Sequence, residues 1–382
     1  MDQFTETTSE SWFGRLGNSF KQVVFGLILI VVSGVLLWWN EGRAVTTARS
    51  LAEGQSAVVN VAADKVDTAN EGKLVHVSGE ATSKGPVKDP DYGVTSPNPA
   101  LMLERKVEMF QWAEEKKSET HTKVGGGTET KTTYTYKTEW STTLNKSSDF
   151  KQPQGHDNPQ TMPEGHTFVS DSATLGAFKL NETLLHQIKA SQPVSPEAKN
   201  VEASPQGAAF RVVSGGLYKG TDPSQPKVGD IRITFTYVAP TTISVIAQQA
   251  GEAFQPYQTK SGDALQMLSM GTVSAQQMFK EAHDANNMLT WILRGVGWLL
   301  MTIGIGSLFS PLTTFASVLP FMGDILGFGV GLFAMVTGFG ISAIIIALAW
   351  IAYRPLVAVG LLAAVVGVVF LAKRMAAGRQ AA

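Results

Sequence analysis

QVVFGLILIVVSGVLLWWN, running from Gln22 to Asn40, holds no charged residue in 19 positions. As a helix rising ~1.5 Å per residue it measures roughly 28 Å, close to the ~30 Å hydrocarbon thickness of a bilayer. Three further runs share its character: Gly295 to Gly323 and Ile325 to Tyr353, 29 uncharged residues each, and Pro355 to Ala372, with 18. The first run exceeds an ordinary leader's apolar stretch, and Trp38, Trp39 and Asn40 stand where small cleavage-site residues would be. Pro311 and Pro320 interrupt the second run, so the reading places spans at 22–40, 291–310, 325–353 and 355–372. Residues 311–324 become a cytosolic apolar loop at, or dipping into, the interface.

Orientation follows from the basic residues near the span ends. Arg15 and Lys21 precede the first span and Lys373, Arg374 and Arg379 follow the last, whereas the turn between spans three and four carries Arg354. The positive-inside rule then makes both termini cytosolic. Trp38, Trp39, Trp291, Trp350 and Tyr353 fall together at the opposite interface, as belt aromatics do. Residues 1–21 and 373–382 are thus cytosolic, and 41–290 lies outside the cytosol. The corresponding membrane is the cytoplasmic (inner) membrane in a bacterium and the endoplasmic reticulum or inner nuclear membrane in a eukaryote.

Between Asn40 and Thr290, 251 residues carry 24 Lys and Arg against 28 Asp and Glu, enough chain for a sizeable core. The patterns there are strands. Ile231, Ile233, Phe235 and Tyr237 alternate with Arg232, Thr234 and Thr236, and Ile243, Val245 and Ala247 resume that period after Ala239-Pro240-Thr241-Thr242. These two runs read as one hairpin, and a second is expected from Arg105 through Trp112 to Lys123, turning at Gly125–Gly127 and returning through Tyr134, Tyr136 and Trp140, its Thr/Lys/Glu-rich tip in water. Leu74–Gly79 (LVHVSG) echoes Phe210–Gly215 (FRVVSG), which raises two copies of one β-unit joined across Ser191–Gly207. The fold class is an integral membrane α-helical protein of four spans. A large extracytosolic β-rich α+β domain is inserted between spans 1 and 2.

At the borders, Ser274-x-x-Gln277 is a capping-box pattern opening a helix that continues into span 2. Trp12, Phe13, Leu16 and Phe20 form an apolar stripe that suits either an interfacial amphipathic helix or a plain helix leader. Asn40, Glu41, Gly42 and Arg43 form a membrane-exit motif: Glu41 and Arg43 could pair, bind lipid headgroups, or clasp the helix at its exit. Arg294 sits where it could snorkel to the outer headgroups. Gly323, Gly327 and Gly331, spaced by four, line one helix face for close packing, either inside the monomer's bundle or against a second copy.

Taken in order, several segments resemble the transmembrane-protein-43 (LUMA) family. They are Asn40–Val45 (NEGRAV), Glu71–Val77 (EGKLVHV), Asp89–Val94 (DPDYGV), Arg105–Trp112 (RKVEMFQW), Thr138–Trp140, Gly155-His156, Val228–Asp230, Thr259–Asp263 and Tyr353–Leu356 (YRPL). The resemblance implies four spans with a large lumenal domain after the first. In animals it implies residence in the endoplasmic reticulum and inner nuclear membrane, self-association, and a role in organising membrane protein complexes.

Chemistry is scarce in the sequence. No cysteine occurs, which excludes disulfides, thiolate zinc sites and a Cys nucleophile. A net charge of −1 supplies no footprint for nucleic acid. His156 and His166, with Asp157 and Glu164 nearby, are the nearest thing to a metal set, but their spacing matches no standard ligand pattern. No Walker A motif or nucleophile elbow is present. The expectation is a non-enzymatic scaffold-like membrane protein with no cofactor, no metal and no catalytic residues. Its partners are the lipid bilayer, other membrane proteins and a second copy of itself. A channel, transporter or lipid-handling protein is the alternative, followed by a membrane-tethered enzyme.

Overall fold

The computed structural model describes residues 2–189 and 191–355. The expected fourth span and basic tail lie outside the described residues, Pro355 apart. Three described helices are long and apolar enough to cross a membrane. The chain forms two compact units, one of Met1–Glu6, Ser50–Ser118 and Lys131–Lys280, the other of Thr7–Arg49, Glu119–Thr130 and the chain from Glu281 on.

The first unit is β-rich. The chain's longer strands are β1 (Asp2–Glu10), β2 (Leu74–Thr82), β3 (Met102–Thr122), β4 (Thr128–Ser141), β5 (Ile231–Val238) and β6 (Thr241–Ala250). One sheet runs β1-β4-β3-β5 and continues to Gly216–Lys219 and Arg211–Val213; the other centres on β6 against β2. In the first, β5 lies antiparallel to β3 with Ile233 opposite Val107. Ile231, Ile233 and Phe235 are buried, as their period of two requires, against Leu103, Val107, Met109 and Leu217. A fully buried side chain such as Phe235 contributes about 1.5–3 kcal/mol. In the second sheet Val245 lies opposite Val77, and their core gathers Leu175, Phe178 and Phe254.

Several readings are corrected here. The period-two runs on either side of Pro240 do not form a hairpin: β5 pairs in one sheet and β6 in the other. Proline cannot donate to a ladder, and the chain changes sheets at that point. The echoing segments have different roles, since β2 is a nine-residue strand of the second sheet, whereas Arg211–Val213 is a three-residue strand ending the first. The N-terminal residues also differ from a free cytosolic segment. Asp2–Glu10, rich in Thr, is a strand on β4. Within the β-rich unit Phe4 meets Tyr134, Glu6 pairs with Lys151 at 2.8 Å, and Asp2 reaches His156 at 3.3 Å.

Two of the motifs carrying the family resemblance prove to be partners. Asp89 accepts the N–H groups of Asp91 and Tyr92, shaping the Asp-Pro turn. Arg105 on β3 donates to Asp89 at 2.8 Å and Asp91 at 3.1 Å and lies 4.8 Å over the Tyr92 ring. Burial pushes the Asp89 carboxyl up, and the Arg105 guanidinium pulls it the other way. Gly93, at φ +66°, closes the turn, where an added Cβ would come within 2.2 Å of the Asn200 carbonyl.

The second unit is helical, built on α1 (Trp12–Ala57), α2 (Ala275–Leu308), α3 (Ser310–Ala316) and α4 (Pro320–Tyr353), the first two entering it from Trp12 to Arg49 and from Glu281. α1 has 46 residues, so the Trp12–Phe20 stripe is its first turns and no separate interfacial helix forms. The Ser274 hydroxyl accepts the Gln277 N–H at 3.3 Å, and the helix it opens runs unbroken to Leu308. Residues 311–324 are largely helical, divided between α3 and the start of α4.

Close helix approach in the bundle is made by glycines that sequence spacing did not single out. A Cβ on Gly26 of α1 would stand 2.6 Å from the Gly304 carbonyl of α2, and one on Gly304 would stand 2.8 Å from Ile30. Gly297 receives Leu37, and Gly338 receives Thr302. Small residues that let backbones touch are how helices associate where lipid removes the hydrophobic driving force. Met301, Ile305 and Ala334 form the buried centre of this contact.

The Gly125–Gly127 turn belongs to the helical unit and is docked, not free. Gly125 donates to the Val318 carbonyl at 3.1 Å, and the Gly126 carbonyl accepts from Arg15. Arg15 also donates to Ser317 at 3.0 Å, and the Trp12 indole donates to the Thr314 carbonyl at 3.0 Å.

Candidate functional site

On a helix, residues four apart share a face. Asn286, Thr290 and Arg294 therefore form one polar stripe on α2, and the exit motif of α1 meets it. The Asn40 amide donates to the Thr290 carbonyl at 3.1 Å, and the Asn286 amide donates to the Ala44 carbonyl at 3.0 Å. Arg43 donates to Asn286 at 2.9 Å, to Thr290 at 3.0 Å and to the Asn40 side chain at 3.3 Å.

Glu41 points a further 100° round the helix and takes different partners. Its side chain is 0% exposed, and Arg294 grips it with two bonds, Nε to Oε1 at 2.6 Å and Nη2 to Oε2 at 2.9 Å. The Trp350 indole of α4 donates to the same Oε2 at 2.8 Å. Arg294 in turn lies 4.7 Å over Trp291 and 5.8 Å over Trp350. Gly42 leaves room for the Tyr353 ring, which a Cβ would approach to 2.8 Å, and Arg49 donates to the Tyr353 carbonyl at 3.0 Å.

The result is a buried clasp tying α1, α2 and α4. Glu41 and Arg43 pair across to α2 and not with each other, and Arg294 turns inward to Glu41 instead of snorkelling outward. A bidentate, charge-assisted pair with an aromatic lid is strong and directional, so it fixes helix register. What it can do chemically is hold; its carboxylate oxygens are already engaged. The stripe Asn286-x3-Thr290-x3-Arg294 was the sequence signal for it.

Gly323, Gly327 and Gly331 are not brought into the clasp. A Cβ on Gly323 would meet Ser317 at about 3.0 Å, while Gly327 and Gly331 have nothing within 4 Å. Among the described residues the glycine face is thus without an intramolecular partner beyond its first member.

The histidines of the β-rich unit are engaged elsewhere. His156, 2% exposed, stacks on Tyr136 at 3.8 Å and meets Trp112 edge-on, with Nδ1 on the Gln152 carbonyl at 2.9 Å. Burial and the Glu114 carboxylate push the Tyr136 phenol up to about 12. His166 lies beside Phe168 on the strand His166–Val169. Among the described residues no group of three or more His, Asp or Glu is placed to hold a metal ion.

The sequence profile of the family described as Transmembrane protein 43 matches residues 109–355. Transmembrane protein 43 of Rattus norvegicus is 34% identical over 367 residues, covering 92% of this chain and 89% of its own. The Homo sapiens protein of that name is 33% identical over 367 residues, with the same coverages. The Drosophila melanogaster protein called Transmembrane protein 43 homolog is 30% identical over 367 residues, covering 91% of this chain and 93% of its own. No solved structure matches.

Proposed function

Because the chain belongs to the transmembrane protein 43 family, we propose that it is a non-enzymatic membrane organiser, a scaffold that holds other membrane proteins together. The observation that carries this is the clasp. The charges of Glu41 and Arg294 are spent on one another, buried and bidentate, where a transport pathway would turn them toward a water-filled cavity. Affinity capture from native membranes in mild detergent should recover other integral membrane proteins in stoichiometric amount. Recovery of the chain alone, or ion flux through reconstituted liposomes above that of empty ones, would sink the reading.

Self-association belongs to this proposal. Gly327 and Gly331 have nothing within 4 Å among the described residues, and Ile325, Phe328 and Leu332 beside them are 67%, 78% and 53% exposed. Gly327→Leu should reduce particle size in mild detergent without altering the circular dichroism of the β-rich unit. An unchanged size removes the glycine face as an oligomer contact.

We also place residues 41–290 outside the cytosol on the positive-inside argument. The pairing of Asp2–Glu10 with β4 makes the opposite demand, because one crossing at 22–40 would separate them. With no native cysteine, single cysteines report cleanly. One at Gly262 should react with an impermeant maleimide from outside, and one at Gly17 should not. A cysteine at Gly262 left unlabelled from outside would overturn the placement, and labelling of both sites would overturn the cytosolic side of residues 1–21.

A further inference from the structure

Between α2 and α4, beside the clasp, lies an apolar groove of about 500 Å³. Trp298, Ala343 and Ala347 line its walls, Phe339 lies at its lower end, and Trp350 and Arg294 stand at its mouth. From Trp350 to Phe339 is 11 residues of helix, about 16 Å at the α-helical rise. That matches the ~15 Å of one leaflet in a hydrocarbon core of ~30 Å. The groove therefore has the depth of a lipid tail, and its mouth lies at the level of an aromatic belt.

Positive charge predominates at the mouth. Arg43, Arg49, Arg294 and Arg354 gather at this end of the bundle against Glu41. Of the other acids on these helices, Glu53 stands one turn beyond Arg49 on α1, while Asp284 and Glu281 are 10 and 13 residues before Arg294, roughly 15–20 Å along α2. Glu41 and Glu53 offset two of the four guanidinium groups, and the other two make the headgroup level attractive to an anion. Trp350 and Trp291 hold the Arg294 plane in place there.

We propose that this groove binds one anionic phospholipid, its phosphate at the Arg294–Trp350 mouth and one acyl chain along Ala343 and Ala347. The inference does not depend on the organising role.

The test is native mass spectrometry of the full chain released from nanodiscs of phosphatidylglycerol or of phosphatidylcholine. The native protein should carry one phosphatidylglycerol, retained about tenfold better than phosphatidylcholine. Ala347→Trp fills the groove and should lower phosphatidylglycerol retention about tenfold, while Ile344→Trp, on an exposed position outside the groove, should leave it unchanged. Ala343→Phe is the smaller filling variant, read if Ala347→Trp does not fold. Equal retention of the two lipids, undiminished binding in the filled variants, or no adduct on the native chain would each overturn the proposal. So would an adduct found only on a chain ending at Arg354, which would assign the groove to 355–372. Loss of a dimer mass in Ala347→Trp, with no lipid on either protein, would assign it to a second copy and overturn the proposal too.

Discussion

Glu41→Gln is expected to destabilise the helical unit by about 3–5 kcal/mol, the cost of leaving one member of a buried ion pair without the other. Glu41 is 0% exposed and takes both Arg294 bonds together with the Trp350 indole. The amide keeps the shape and one acceptor oxygen but loses the charge, so Arg294, 14% exposed, would be left inside with no counter-charge. Arg294→Gln should cost a similar amount for the mirror reason.

The double variant separates this account from simple loss of contacts. Two facing glutamines can bond to each other, and a buried pair removed whole is often close to neutral. Glu41→Gln/Arg294→Gln should therefore be more stable than either single variant. Thermal unfolding in one detergent, followed by helical circular dichroism, gives the full cycle. If the double variant is as unstable as the sum of the singles, the two residues are not coupled and the clasp is not what holds these helices.

That the clasp was only half legible beforehand has a physical cause. Apolar runs announce spans because a bilayer demands about 20 uncharged residues, and that demand is local. The Ser274 cap and the β3–β4 hairpin were legible for the same reason: each is set within a few residues of itself. Glu41 stood out as a charge at a membrane exit, but its partner lies 253 positions on and depends on how α1 and α2 align. Nothing local distinguishes a pair with Arg43, two residues away, from a pair with Arg294. The strand β1 was missed likewise, since nine residues with Phe4 their one apolar side chain look like a tail until β4 is placed beside them. At Pro240 the period of two was correct on both sides, yet periodicity does not say which sheet a strand joins.

Glycine shows the limit most sharply, because spacing along one helix does not say which neighbour a glycine face meets. Gly26→Ala and Gly304→Ala are each expected to cost about 1–3 kcal/mol, the range for forcing a methyl into a filled contact. At Gly26 the added carbon would stand 2.6 Å from a backbone oxygen and 2.8 Å from Ser307 Cβ, and neither can turn aside as a flexible side chain would. The helices must move apart, which would also pull on Ser33, whose hydroxyl donates to the Gly297 carbonyl at 2.7 Å two turns further along. Gly327→Ala meets nothing within 4 Å among the described residues and replaces a poor helix former with the best one, a gain of up to ~1 kcal/mol. One substitution should thus have opposite signs at two transmembrane glycines. Melting temperatures of the three alanine variants decide it: a loss at Gly327 as large as that at Gly26 would mean that α4 packs against a surface as tight as the α1–α2 crossing, and a silent Gly26→Ala would mean that the crossing is looser than its backbone distances require.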